Sequence, residues 1–243
     1  MNIRLPFEQE ANPYIADPRL VTMKYFFTRK LMLMKESAGF AVLPGGVGTL
    51  DESFELMTLV QTGKAAPAPI VLVDVPGGTY WQAWNEFMMG TVAAAGLVST
   101  EDSHLYKITD SVEEAVAELT GFYRNYHSIR YVGDILVIRL RARPTPAEID
   151  ALNDAFADIC ASGRIELSEP MSAEVRTADH LDLPRLALRF DRVSLGRLRA
   201  LIDAINQLPT APATGELDLR VDADAMELAG SPVQVEDDDD DES

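Results

Sequence analysis

The sequence predicts an α/β chain in three parts: a parallel sheet with helices on both faces over residues 1–128, a small α+β unit over 129–208, and a disordered acidic tail over 209–243. Three observations carry this. From Gly39 to Tyr126 short apolar runs alternate with longer amphipathic ones, the pattern of repeated strand–helix units in a parallel sheet. After Ser128 that repetition stops and the order becomes strand, helix, strand, strand, helix. The end, "VEDDDDDES", holds five Asp and two Glu and reads as a solvated tail.

Composition sets the outer limits. A chain of 243 residues with 47% hydrophobic content can bury a sizeable core. No apolar run reaches transmembrane length, and "MNIRLPFEQE" lacks the basic and apolar regions of a signal peptide. Cys160 is the single cysteine, so no intramolecular disulfide exists, and in "FADICASG" it reads as a small buried hydrophobe. Cytoplasm is the expected compartment. The net charge is −18 with no Lys/Arg cluster, which argues against a nucleic-acid partner; no membrane partner is expected either.

Taken in order, "DPRLVTMKYFFTRKLMLMKESA" (17–38) reads as a helix, with Met23, Phe26, Phe27, Met32 and Met34 as core filler. Arg29 and Lys30 interrupt it with adjacent charges, which surface snorkelling explains unless they serve a site. "GFAVL" (39–43) is a strand and "TLDESFELMTLVQTG" (49–63) a helix; "PIVLVD" (69–74) and "TYWQAWNEFMMGTVAAAG" (79–96) repeat that order. "LYKIT" (105–109) and "SVEEAVAELTGFYRNY" (111–126) complete it, with Ser111 and Glu114 spaced as a capping box. A doubly wound nucleotide-binding fold fits this succession. In the second unit "YVGDILVIRLRAR" (131–143) reads as a strand and 145–163 as a helix entered through Pro146. "RIELSEP" and 183–191 read as strands and 194–208 as a helix, with no polar constellation at a telling spacing.

The chemistry points to "AVLPGGVGTLDE" (41–52). A strand that ends in Pro44, Gly45, Gly46, Val47, Gly48 and Thr49 and opens a helix aims backbone N–H groups at one spot, where an anion is the natural guest. Glycine there suits positive φ or close backbone approach. Thr49 fits either as helix N-cap or as a hydroxyl donor to the anion. Asp51 and Glu52, placed in the first turn, either complement the helix dipole or face another part of the ligand, such as the sugar of a nucleotide. "VPGGTY" repeats the turn 32 residues later without the third glycine or the carboxylates, so Gly77 and Gly78 read as turn residues.

"PGGVGTLDE" resembles the PGGxGTxxE signature of the LOG family, the cytokinin-activating phosphoribohydrolases long labelled lysine decarboxylases, and "FTRKLM" (27–32) resembles that family's Arg-Lys element. The likeness runs from "NIRLPFEQEANPY" through "LMTLVQTGK" and "YW" to about Tyr126. It implies a Rossmann-like fold, a homodimer or dimer-based assembly, and hydrolysis of a nucleoside 5′-monophosphate to free base and ribose 5-phosphate without metal or cofactor. Position by position, it implies catalytic roles for Arg29 and Glu52, and substrate binding by Lys30, by Gly45 to Asp51, and by Thr58 in "ELMTLVQ". The carboxylate would stabilise an oxocarbenium-like sugar and activate water; Arg29 offers a fixed fork for the phosphate or the leaving base.

Three further expectations complete the reading. Relatives carry an earlier strand–helix–strand unit with its own glycine-rich loop, so a truncated form of a longer chain is expected. A nucleotide carrier with the same loop and no turnover is the alternative function. Amino-acid decarboxylation is set aside: it needs a cofactor held on a lysine, and Lys30, Lys35 and Lys64 have no accompanying site. His104, His127 and His180 are scattered and show no metal-ligand spacing.

Overall fold

The computed structural model describes residues 2–3, 21–23 and 25–213. Two short strands, β1 (Asn2–Ile3) and β2 (Thr22–Met23), pair in parallel. Helix α1 spans Phe26–Lys35, has no Gly or Pro and a single β-branched residue, Thr28, and closes where the Glu36 N–H donates to the Met32 carbonyl at 3.0 Å. The helix expected over 17–38 is therefore shorter. Its first residues lie outside the described chain, and Thr22–Met23 is strand.

The predicted parallel sheet is present. Strands β3 (Phe40–Val42), β4 (Ile70–Val73) and β5 (Lys107–Thr109) lie in the order β3-β4-β5, all parallel. Every residue of the central strand is buried, as a strand covered on both faces should be. Ile70 and Leu72 join Met34, Leu56, Met57, Val60 and Trp81 on one side; Val71 and Val73 meet Ala115 on the other. Leu72 is fully buried, so Leu72→Ala removes roughly 2–5 kcal/mol of stability.

The helices are α2 (Val47–Gln61), α3 (Tyr80–Phe87) and α4 (Val112–Gly121). The helix expected over 79–96 changes geometry at Met88, where a π-helical turn runs to Ala93, and Gly96 then takes φ +73°. Ser111 caps α4 through the Glu114 N–H, but the Glu114 carboxylate accepts from Thr109 Oγ1 at 2.7 Å instead of completing the box. Because the strands are parallel, the turns after β3, β4 and β5 gather at one edge of the sheet.

The second unit is an antiparallel sheet of β6 (Tyr126–Val132), β7 (Ile135–Leu140), β8 (Cys160–Ser168) and β9 (Arg185–Phe190), ordered β6-β7-β9-β8. Helices α5 (Pro146–Phe156) and α7 (Leu195–Gln207) supply most of the rest of its core, with Phe122 and Tyr123 added from the segment after α4, and α6 (Ser172–Thr177) is a short addition. Three expectations need correction. Residues 122–126 are not helical. The single strand expected over 131–143 is the second half of a hairpin whose turn is made by Gly133 at φ +60°. The helix expected to Gly163 stops at Phe156, and β8 begins at Cys160 with an irregular register around Gly163, φ +73°. Pro146 opens α5 as expected, with Thr145 and Glu148 forming a capping box.

The second unit also holds a buried polar network. Arg139 and Arg185 are direct neighbours across β7 and β9, a like-charge pairing that is unfavourable by itself. Glu174 of α6, fully buried, lies between them: Oε1 accepts from Arg139 Nη2 at 2.9 Å and pairs with Arg185 Nη1 at 2.8 Å. Asp179 then bridges Arg139 and Arg130 at 2.5 and 2.6 Å. His127 and His180, far apart in sequence, meet with ring centroids 4.7 Å apart.

The described chain continues past Leu208. Ala211 is buried, the Thr210 N–H donates to Glu148 Oε1 at 3.0 Å, and the Pro212 carbonyl accepts from Arg124 Nε at 2.6 Å. The acidic run lies outside the described residues.

Candidate active site

The glycine loop leaves the sheet at Leu43 and enters α2 two residues earlier than the sequence suggests. Gly46 is the N-cap, with φ −88° and ψ −158°, and its carbonyl accepts from the N–H groups of Thr49 at 3.1 Å and Leu50 at 3.2 Å. Thr49 is therefore inside the first turn and is not the cap. None of Gly45, Gly46 and Gly48 has positive φ, so backbone strain does not explain them. Gly45 is required because a Cβ would fall 2.3 Å from Thr49 Oγ1, whereas a Cβ on Gly46 or Gly48 would meet open space. These last two leave the start of α2 bare, where the first N–H groups have no intrahelical acceptor.

Asp51 and Glu52 sit in the second turn of α2, not the first. Their partners are the adjacent cations of α1. Arg29 Nη1 donates to Glu52 Oε1 at 3.0 Å, and Lys30 Nζ lies 2.5 Å from Asp51 Oδ2 and 2.7 Å from Glu55 Oε2. On a helix, neighbouring residues point about 100° apart. Two adjacent charges on α1 can therefore meet two adjacent charges on α2 as separate rungs. Glu55 was missed by sequence reasoning, although it lies one turn beyond Asp51 on the same face.

Hydrogen bonds to Asp51 and Glu55 push the Lys30 amine above its ordinary value, against the cost of its partial burial. That favours a fixed cation over the neutral amine that Schiff-base chemistry needs. Arg29 and Glu52 both keep partial solvent contact, 27% and 36% of their side chains, so the pair is reachable from outside. Its Nε is buried without a hydrogen-bond partner among the described residues.

Thr58 is not brought to this pair. It is exposed, its hydroxyl bonds to the Phe54 carbonyl at 2.7 Å, and it lines a separate cleft of about 90 Å³ with Phe54, Met57 and Met88. Among the described residues, no group of three or more His, Cys, Asp or Glu converges as a metal site, and no helix is long and apolar enough to cross a membrane.

A family model described as "possible lysine decarboxylase" matches residues 2–119. Over this segment, just under half of the chain, it is similar to that family. Over 110 residues it is 36% identical to a cytokinin riboside 5′-monophosphate phosphoribohydrolase of Mycobacterium tuberculosis (strain ATCC 25618 / H37Rv), covering 44% of this chain and 55% of the relative. It is 31% identical over 101 residues to cytokinin riboside 5′-monophosphate phosphoribohydrolase LOG1 of Arabidopsis thaliana, covering 42% and 46%. The chain thus spans about half the length of these curated relatives. The matched segment holds the glycine loop, α1 and α2, and ends in α4, so the antiparallel unit falls outside it.

Proposed function

We propose that the chain is a phosphoribohydrolase that cleaves the N-glycosidic bond of a nucleoside 5′-monophosphate, AMP or a cytokinin riboside monophosphate, giving free base and ribose 5-phosphate. The observation that carries this reading is the ion pair between Arg29 of α1 and Glu52 of α2, the helix that the glycine loop opens. Glu52 lies six residues past the N-cap, about 9 Å along the axis, and helical side chains lean back towards the N-terminus. A phosphate at the bare start of α2 therefore leaves the sugar within reach of the carboxylate. The two phosphoribohydrolases similar to this chain are named for the same class of reaction.

In this reading Gly46, Val47 and Gly48 present N–H groups to the phosphate, with Gly45 and Thr49 setting the turn. Lys30 offsets one of the two charges of Asp51 and Glu55, which lessens their repulsion of a bound phosphate. Water adds at C1′ while the bond to the base breaks. Its electron pair goes to the base nitrogen, and the proton that Glu52 takes from water is returned there. Arg29 orients the Glu52 carboxylate towards the oxocarbenium-like sugar through its hydrogen bond, and its remaining donors serve the phosphate or the leaving base. Thr58 contributes at most to an outer part of the ligand. No cofactor enters this scheme. The protein acts in the cytoplasm as a homodimer or higher homo-oligomer on a small molecule, without nucleic-acid or membrane partners.

Because Glu52 is already engaged by Arg29, a second reading is a carrier that binds the nucleotide without turnover. Incubation with AMP and with N6-prenylated AMP separates the two. Release of free base supports the hydrolase, and tight binding of either nucleotide with no base released supports the carrier.

A further inference from the structure

The second glycine turn has no anion cradle, yet it is firmly built. Asp74, nine-tenths buried, accepts from the N–H of Val75 at 2.9 Å and of Trp81 at 3.3 Å. Asp110, after β5, accepts from the Gly77 N–H at 2.8 Å. Gly77 has φ +75°, and a Cβ on Gly78 would lie 2.2 Å from Asp74 Oδ1 and 2.8 Å from the Val75 carbonyl oxygen, so both positions require glycine. This scaffold fixes the first residue of α3, Tyr80. Its ring stands edge-on to Trp81, with centroids 4.8 Å apart, and its hydroxyl donates to the Gly45 carbonyl at 2.8 Å. The second turn thereby holds the first.

We propose that Tyr80 is a positioning residue for the phosphate loop. A trans peptide is planar, with its C=O and N–H on opposite sides. A hydroxyl that holds the Gly45 oxygen therefore fixes the direction of the Gly46 N–H, which points away from Tyr80. Gly46 borders open space, and its N–H stands beside the unpaired donors at the start of α2. Without the hydroxyl the Gly45–Gly46 peptide can rotate, and the donor array is no longer set before the ligand arrives. The duplicated Pro-Gly-Gly thus has divided roles: the copy at 44–46 presents donors, and the copy at 76–78 mounts the residue that aims them.

This inference rests on the phosphate placement proposed above, and the experiment separates the two. Wild type and Tyr80→Phe are titrated calorimetrically with AMP and with adenosine, and both are followed by thermal unfolding. Wild type should prefer AMP. The variant should lose about three- to tenfold in AMP affinity, the worth of one hydrogen bond, while its adenosine affinity is unchanged. Its unfolding midpoint should move by less than about 2 °C, because the ring and its packing remain. Equal losses for both ligands, or no loss for AMP while wild type keeps its preference, overturn the role of Tyr80. A wild type without preference for AMP overturns the phosphate loop itself, and the positioning role with it.

Discussion

Arg29 and Glu52, 23 residues apart in sequence, meet at 3.0 Å across the seam between α1 and α2. Beside them Lys30 reaches Asp51, so two neighbouring cations are matched to two neighbouring carboxylates. A surface pair of this kind contributes little to stability, typically about 0–1 kcal/mol. Its placement beside a bare helix N-terminus is what gives it a chemical role.

Glu52→Gln should therefore abolish base release from AMP while leaving nucleotide affinity nearly intact, since charge is lost but hardly any volume. Turnover and affinity are measured on the same preparation. Parallel loss of both would assign Glu52 to phosphate binding or to the α1–α2 contact instead.

Gly46→Ala and Gly48→Ala should weaken monophosphate binding far more than nucleoside binding. Neither glycine has positive φ and an added Cβ meets nothing, so the fold tolerates both changes and the unfolding midpoint should stay within about 2 °C. Gly45→Ala should differ: its Cβ collides with Thr49, and stability as well as binding should fall. If all three variants behave alike, the division of labour within the loop is wrong.

Glu174→Ala should be severely destabilising, by roughly 3–5 kcal/mol, because it leaves buried Arg185 without its carboxylate and Arg139 with Asp179 alone. Urea unfolding reads this directly. A loss below about 1 kcal/mol would show that Arg139 and Arg185 relax into solvent.

Asp179 links the same network to pH. Its burial favours the neutral acid, but hydrogen bonds from His180 and Arg130 and the charge of Arg139 prevail and hold it at about 2. With a folded value below the unfolded one, Asp179 stabilises the fold above about pH 4, and the contribution is lost as pH falls towards 2. It amounts to about 2 kcal/mol. The urea midpoint should drop over that window in the wild type, and the drop should be smaller in Asp179→Asn. An unchanged pH profile would remove Asp179 from the network's energetics.

Chains ending at Leu208 and at Ala213 should differ in stability. The shorter one loses the Thr210 bonds to Glu148, the burial of Ala211 and the Pro212 acceptor for Arg124. A lower thermal midpoint for the shorter chain is expected; identical midpoints would show that these contacts form without stabilising.

The sequence by itself determined what depends on local pattern. The apolar run "PIVLVD" can hardly be anything but a covered central strand, and the Pro-Gly-Gly punctuation marks where strands give way to helices. Arg29, Lys30, Asp51 and Glu52 stood out as charges placed against that pattern. The tertiary structure decided what depends on distant partners. Which cation meets which carboxylate follows from how α1 lies on α2. The hairpin turn at Gly133 and Asp134 carries a short Gly-Asp signal between two apolar runs, but only the pairing of Val132 with Ile135 separates a turn there from a bulge within one strand. Arg139, Arg185 and Glu174 have no telling spacing in the sequence, since a strand pairing brings the arginines together and a later helix supplies the acid. Tyr80 lies in the sequence only as one residue of the stretch 79–96. Its bond to Gly45 spans 35 residues and exists because parallel strands bring their trailing turns to a single edge.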